Sequence, residues 1–203
     1  MAKLKKVNIF IIIVSFIINT IFLFLTIMSK YNSNILVCLS LYLILFIPTI
    51  INRCFKINIP DSSQFLFLTF IFIAQLLGSI VHFYELITWF DSFTHFISGV
   101  LCVLFALQLL VLFNKYNEEN KIFNILFIIA FTLMASSFWE VFEFSMDRMF
   151  GRDAQKVLET GVTDTMKDII CALLGSLLSL MWYMYDLITS KHKLKNFIYS
   201  IKK

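Results

Sequence analysis

The sequence is short of charge. Of its 203 residues only 15% are Asp, Glu, Lys or Arg, against about 25% in an average soluble domain. A chain of this length folded in water would need polar side chains on every outward surface, and too few are present. Glycine (5) and proline (2) are scarce as well, which excludes collagen-like and Pro-rich disordered classes. The four cysteines, Cys38, Cys54, Cys102 and Cys171, make no CxxC or CxxH spacing, so neither a disulfide framework nor a zinc–thiolate site is expected. Three of them lie inside apolar runs as small hydrophobes, and Cys54 falls in a basic loop. The sequence also lacks a P-loop, a serine nucleophile elbow and an HExxH motif.

What is present is apolar. Hydrophobic residues make up 60% of the chain and the mean hydropathy is +0.86, so lipid is the natural solvent. The 24 phenylalanines accompany abundant Ile, Asn and Lys. They reflect an AT-rich coding bias and carry no functional weight. Apolar runs fall near residues 7–28, 35–51, 65–88, 92–113, 122–146 and 165–188. Each is close to the roughly 20 residues a helix needs to cross the hydrocarbon core. The expected fold is all-α: a polytopic transmembrane bundle of about six spans, one integral membrane domain over 1–203. The third and fourth runs are parted only by Trp89-Phe90-Asp91, which predicts a tight hairpin. The opening Met1-Ala-Lys-Leu-Lys-Lys resembles a signal peptide, but the run behind it is long and no small-x-small site follows. It reads as a retained first span.

Orientation follows from lysine and arginine. With six spans, one side holds Lys3, Lys5, Lys6, Arg53, Lys56, Lys115, Lys121, Lys191, Lys193, Lys195, Lys202 and Lys203, twelve in all. The other holds five: Lys30, Arg148, Arg152, Lys156 and Lys167. Both termini are expected in the cytoplasm. The acidic residues run the other way, with Asp61, Glu118, Glu119 and Asp186 inside and nine at the outer ends. Acids contribute little to topology, so the outer excess asks for another cause.

Four stretches converge on that outer face: His82-Phe-Tyr-Glu85; Asp91-Ser-Phe-Thr-His95; Glu140-Val-Phe-Glu143-Phe-Ser-Met-Asp147; and Gly161-Val-Thr-Asp164-Thr-Met-Lys-Asp168. Their spacings of three, four and seven put each set on one helical face. Ionised groups inside a bilayer cost about 2.5–3.5 kcal/mol at its centre on insertion scales, less near the interface. Aligned carboxylates also repel unless protons or cations neutralise them. Structural roles compete for the same residues. Asp91 and Asp164 are placed as helix N-caps, and Glu140 and Glu143, beside Trp139, fit the head-group belt. Trp89, Trp139 and Trp182 fit interface anchors, and Gly99 and Gly175 fit close helix packing. His95, one turn into a span, needs a partner. His192 sits solvated in a basic amphipathic tail expected to rest on the anionic inner leaflet.

At these residues the chain resembles a known group. Asp91…His95-Phe96…Gly99, Ser137-x-x-Glu140-x-x-Glu143 and Gly161…Asp164-Thr165-x-x-Asp168…Gly175 are similar to the pattern of the YjdF-like bacterial membrane proteins. The likeness to the VanZ-like proteins, which pair an Asp-x-x-x-His-Phe helix start with downstream acids, is looser. The resemblance covers about residues 88–180. Thr163 stands where that pattern carries Trp, and Lys167 where an aromatic residue is commoner. The resemblance implies a multi-pass protein of the bacterial cytoplasmic membrane. Through the VanZ-like link to glycopeptide resistance, it also implies a site at lipid head groups.

Three function classes stay open. In the first, His95, Asp91, Glu140 and Glu143 carry acid–base chemistry on a lipid head group, and His95, Glu140, Glu143, Asp164 and Asp168 hold a divalent metal. The oxygen-rich set favours Mg²⁺, Mn²⁺ or Ca²⁺, with Zn²⁺ reachable through the histidine. The second is a small-solute or proton-coupled transporter, with Asn19 and Gln75 as deep polar groups. The third is an accessory protein whose acids point outward to dock a partner. No nucleic-acid partner is expected, because inside-positive charge already accounts for the basic residues.

Overall fold

The computed structural model describes residues 2–29, 35–151, 153, 155–189 and 193–202. Lys30, Arg152, Lys191, His192 and Lys203 lie outside the described residues. Every regular element among the described residues is helical. Among the described residues, five helices are long and apolar enough to cross a membrane: Lys3–Met28, Asp61–Ile80, Phe90–Leu112, Lys121–Phe150 and Thr163–Thr189. A sixth candidate is a bent pair, Ile35–Leu45 with Ile47–Phe55, turning by 47°. The described chain clusters into two compact units, Met1–Phe90 and Asp91–Lys202.

The first unit holds α1 (Ala2–Met28), α2 (Ile35–Leu45), α3 (Ile47–Phe55), α4 (Asp61–Ile71) and the short α5 (Phe83–Leu86). Its core is Cys38, Leu41, Leu45, Leu68, Leu76 and Ile80. Polar side chains on α1 tie it internally: Asn8 donates to the Asp61 carbonyl (2.9 Å) and Asn19 to the Cys38 carbonyl (2.8 Å). The second apolar run breaks at Phe46, two residues before Pro48, which lacks an N–H and whose ring crowds the preceding turn. Cys54 accordingly lies in the last turn of α3, not in a loop.

The third span starts and stops earlier than expected. Pro60, extended at φ −62° and ψ 148°, launches α4 at Asp61. The helix then widens into a π-helical stretch, Phe72–Ile80, and ends. His82 takes a left-handed φ of 67°, so His82 and Glu85 sit on a separate turn and pair with each other at 3.1 Å. The widened stretch carries Gly78, and the Tyr84 ring lies where a β-carbon there would stand.

The second unit holds α6 (Phe90–Leu112), α7 (Lys121–Phe150), α8 (Val157–Thr160), α9 (Thr163–Thr189) and α10 (Lys193–Ile198), which runs into a 3₁₀ turn, Tyr199–Lys202. α6 is its central helix, with Val103, Ala106, Leu107, Leu110 and Val111 buried. α10 packs Leu194 and Ile198 against the unit, and Asp186 of α9 caps it by accepting from the Lys193 and Leu194 backbone N–H groups (3.3 and 3.1 Å). The tail therefore folds its apolar side onto protein, where the sequence reading laid it on lipid. Outward faces elsewhere carry Phe, Leu and Ile in the open, as lipid contact requires.

α6 and α9 cross on glycine. A β-carbon on Gly99 would collide with the Ala172 carbonyl oxygen, and one on Gly175 with that of Phe96. Alanine normally favours a helix interior over glycine by about 1 kcal/mol. Here the backbone in the way cannot yield, and Gly175→Ala and Gly99→Ala are each expected to destabilise by about 1–3 kcal/mol. Thermal unfolding in detergent checks this; an unchanged or raised midpoint would mean that the two helices do not touch there.

Candidate functional site

The site lies wholly in the second unit. The first two turns of α6 supply Asp91 and His95, and those of α9 supply Asp164 and Asp168. The C-terminal half of α7 adds Glu140, and the loop before α8 adds Gln155 and Lys156. His95 Nε2 lies 3.6 Å from Asp91 Oδ1 and 3.8 Å from Asp168 Oδ2. One ligand atom from each of Asp91, His95 and Asp168 falls within a 4.8 Å sphere of mutual distances. The other Asp91 oxygen, Oδ2, accepts from Lys156 Nζ at 2.7 Å. Lys156 also reaches Asp164 Oδ2 at 3.5 Å, and Lys167 donates to Asp164 Oδ1 at 3.2 Å.

Gln155 joins α7 to the cluster. Its amide Nε2 is within bonding distance of the Glu140 carbonyl (3.1 Å), Glu140 Oε2 (3.2 Å) and Thr165 Oγ1 (3.3 Å). Its backbone N–H donates to Asp147 Oδ2 at 3.1 Å. Glu143 stands apart from this bonding: half-buried, it accepts from Trp139 Nε1 on its own helix at 2.9 Å. Asp91 and Asp164 put their carboxylates on lysine and histidine side chains in preference to a simple capping role. Gln155 had no signal in the sequence beyond a polar residue in a loop; only the fold places it.

Charge decides what the site must do. Four carboxylates, Asp91, Glu140, Asp164 and Asp168, face two ammonium groups, Lys156 and Lys167. With all four ionised, two negative charges would be left uncompensated in a buried place, and burying an unpaired ion costs several kcal/mol. Glu140 Oε1 and Asp168 Oδ1 have no hydrogen-bond partner among the described residues. A cation or bound protons can supply what is missing.

The residues fit a divalent ion. Two carboxylates and an imidazole make a mixed oxygen–nitrogen donor set with acceptor capacity to spare. Separations of 3.6 and 3.8 Å exceed the roughly 3 Å between neighbouring ligands of an ion bound at ~2.1 Å, and lie closer to those of a larger ion bound at ~2.3–2.6 Å. Ca²⁺ therefore needs less closure than Mg²⁺.

Half-buried Lys156 bridges two carboxylates of the cluster. Its backbone is left-handed (φ 51°), a conformation that costs a β-carbon-bearing residue of order 1–3 kcal/mol. Burial pulls its ammonium pKa down. The Asp91 hydrogen bond and charge, with the Asp164 charge, outweigh this and hold the pKa above its ordinary 10.5. A raised pKa means stability that is complete below the unfolded value and lost as pH climbs through the folded one. Lys156→Met should cost about 1–2 kcal/mol, discounted because the side chain is partly open to solvent. The wild type should lose the same increment above about pH 10.4. Chemical unfolding in detergent as a function of pH reads both; a variant as stable as the wild type at neutral pH would discount the ion pairs.

The sequence profile described as "Predicted membrane protein (DUF2238)" matches residues 10–187. An uncharacterized protein from Thermotoga maritima is 26% identical over 131 residues, covering 64% of this chain and 66% of that protein, just under two thirds of its length. No solved structure matches the chain. With a match across both units, the chain belongs to the DUF2238 family of predicted membrane proteins.

Proposed function

We propose that this family member sits in a bacterial cytoplasmic membrane with both termini inside. In this reading Asp91, His95 and Asp168 form a divalent-metal acid–base site that engages a lipid head group at the outer leaflet. The observation that carries the reading is the gathering of three ligand atoms, from two helices, within 4.8 Å in a buried place. The likeness to YjdF-like and VanZ-like proteins over residues 88–180 supports the head-group part. The match over 10–187 supports taking both units as one integral membrane domain.

In this reading each residue has a task. A bound cation would supply Lewis acidity toward a phosphate or carbonyl oxygen. Lys167 and Lys156 add positive charge for the remaining oxygens of a head-group phosphate, at the distance where Lys acts as a point charge. When no cation is bound, His95, between two carboxylates, is the group able to take or give a proton. Glu140, which accepts from the Gln155 amide that also reaches Thr165, positions the loop over the site. The partner-docking alternative needs the acids outward and apart; Glu140, Asp164 and Asp168 are instead buried.

Mn²⁺ titration of detergent-purified protein, followed by its paramagnetic resonance signal, tests the metal. Wild type should bind stoichiometrically. His95→Ala and Asp168→Asn should lose more than the roughly 10–100-fold in affinity that even outer-shell changes cost. A well-folded wild type with no affinity for Mn²⁺, Ca²⁺ or Zn²⁺ would remove the metal from the proposal.

A further inference from the structure

The buried faces of α7 and α9 are polar where a membrane helix pair is usually aliphatic. On α7 the buried positions recur every four residues: Asn124, Ile128, Thr132, Ser136 and Glu140. On α9 they are Asp164, Asp168, Ala172, Gly175, Ser176, Ser179, Leu180, Tyr183 and Asp186. The helices run antiparallel. Thr132 Oγ1 meets Ser176 Oγ at 3.2 Å, and Asn124 Nδ2 meets the Tyr183 hydroxyl at 3.1 Å. Glu140 and Asp168 therefore lie toward one end of the seam and Asn124 and Tyr183 toward the other.

Each turn of this seam carries a group able to accept and donate a hydrogen bond. From the site downward they are Ser136, the Thr132–Ser176 pair, Ser179, and the Asn124–Tyr183 pair. Ile128 and Leu180 occupy the level that Ser179 serves. From Asp168 to Asp186 the helix advances roughly 27 Å at 1.5 Å per residue, close to the roughly 30 Å hydrocarbon thickness. At the far end Tyr183 reaches the Tyr116 hydroxyl at 3.4 Å. A cavity of about 80 Å³ opens there, lined by Tyr116, Glu118, Tyr183, Asp186, Leu194 and Lys195.

Two observations separate this seam from a packing stripe. Ser179 Oγ and Asn124 Oδ1 have no hydrogen-bond partner among the described residues, on side chains 3% and 0% exposed. The hydroxyls also have alternative acceptors. Thr132 Oγ1 is placed to donate to the Ile128 carbonyl (3.0 Å) or to Ser176, and Ser136 to the Thr132 or Leu133 carbonyl (3.0 and 3.2 Å). Passing a proton along a chain needs such rotors, each accepting on one side and donating on the other. A turn of about 5.4 Å equals roughly two hydrogen bonds of ~2.8 Å, so one water between successive groups would complete the chain.

We propose that the α7–α9 seam is a proton-conducting path joining the Tyr116–Asp186 cavity to the Glu140–Asp168 end of the unit. Contact between the two helices leaves the path no room for a larger solute. Each transfer moves one proton from a hydroxyl or water to the next and returns the donor to neutrality from behind. The proposal stands on the seam and does not depend on the metal reading.

The test uses the full-length chain in phosphatidylcholine vesicles that enclose a pH-sensitive dye, with proton entry driven by a valinomycin–K⁺ diffusion potential. Wild-type vesicles should take up protons faster than protein-free ones. Thr132→Val and Ser179→Ala, which keep the packing volume and remove the hydroxyl, should return uptake to the protein-free rate. Asn124→Leu is the companion variant if either of these fails to fold, judged by monodisperse elution and helical dichroism. No uptake by folded wild type, or equal uptake by wild type and the hydroxyl-less variants, overturns the path. Mn²⁺ binding measured on the same samples reports separately on the site: intact binding with no uptake discards the path alone, and uptake without binding discards the metal alone.

Discussion

The close crossing of α6 over α9 governs the second unit. Gly99 faces the Ala172 carbonyl and Gly175 the Phe96 carbonyl, so the two backbones touch with no side chain between them. Without Cβ atoms at these positions, dispersion between backbones replaces the hydrophobic drive that lipid cannot supply. The crossing lies one turn below His95 on α6 and two turns below Asp168 on α9. That depth brings imidazole and carboxylate to 3.8 Å. A larger residue at either glycine would hold the helix starts apart and separate the ligand atoms before changing any of them.

Electrostatics then sets the loop. Four inward carboxylates cannot be left to two lysines on helices alone, and only one of those lysines, Lys167, lies on a helix. The other comes from the segment that follows Gly151, a left-handed residue (φ 63°) that ends α7. Asp147 fixes Gln155 by its backbone, and Gln155 fixes Glu140 by its side chain. The next residue, Lys156, then falls between Asp91 and Asp164. The strained backbone at Lys156 is held by the charges its side chain satisfies.

Much of this was legible in the residues. Apolar runs located the spans, because twenty-residue periodless hydrophobicity has few readings other than lipid. The four-residue spacing of Asp91 and His95, and of Asp164 and Asp168, announced two pairs on helix faces. An intramembrane histidine announced that it needed company. The misses have physical causes. Polar Asp61-Ser-Ser opens α4 because Pro60 sets its start, and hydropathy passes over such a turn. Pro48 bends the second run, and a π-widening at Phe72–Ile80 ends the third, where apolarity alone suggested continuation. Gln155 depended on a loop path that no periodicity encodes. The seam of Thr132, Ser136, Ser176 and Ser179 is made of short hydroxyls, which hydropathy scores as nearly neutral and only facing helices make consequential.

The length of α7 has a consequence of its own. Thirty residues rise about 45 Å, half as much again as a hydrocarbon core of roughly 30 Å. The helix must tilt, or carry its final turns out among the head groups. Glu140 lies ten residues before its end, close to where the tails give way to polar layers. Acyl-chain length thus becomes a control on the site: thicker bilayers draw Glu140 and its neighbours into hydrocarbon, and thinner ones wet them. The same polypeptide would meet its charges in different solvents from one membrane to the next.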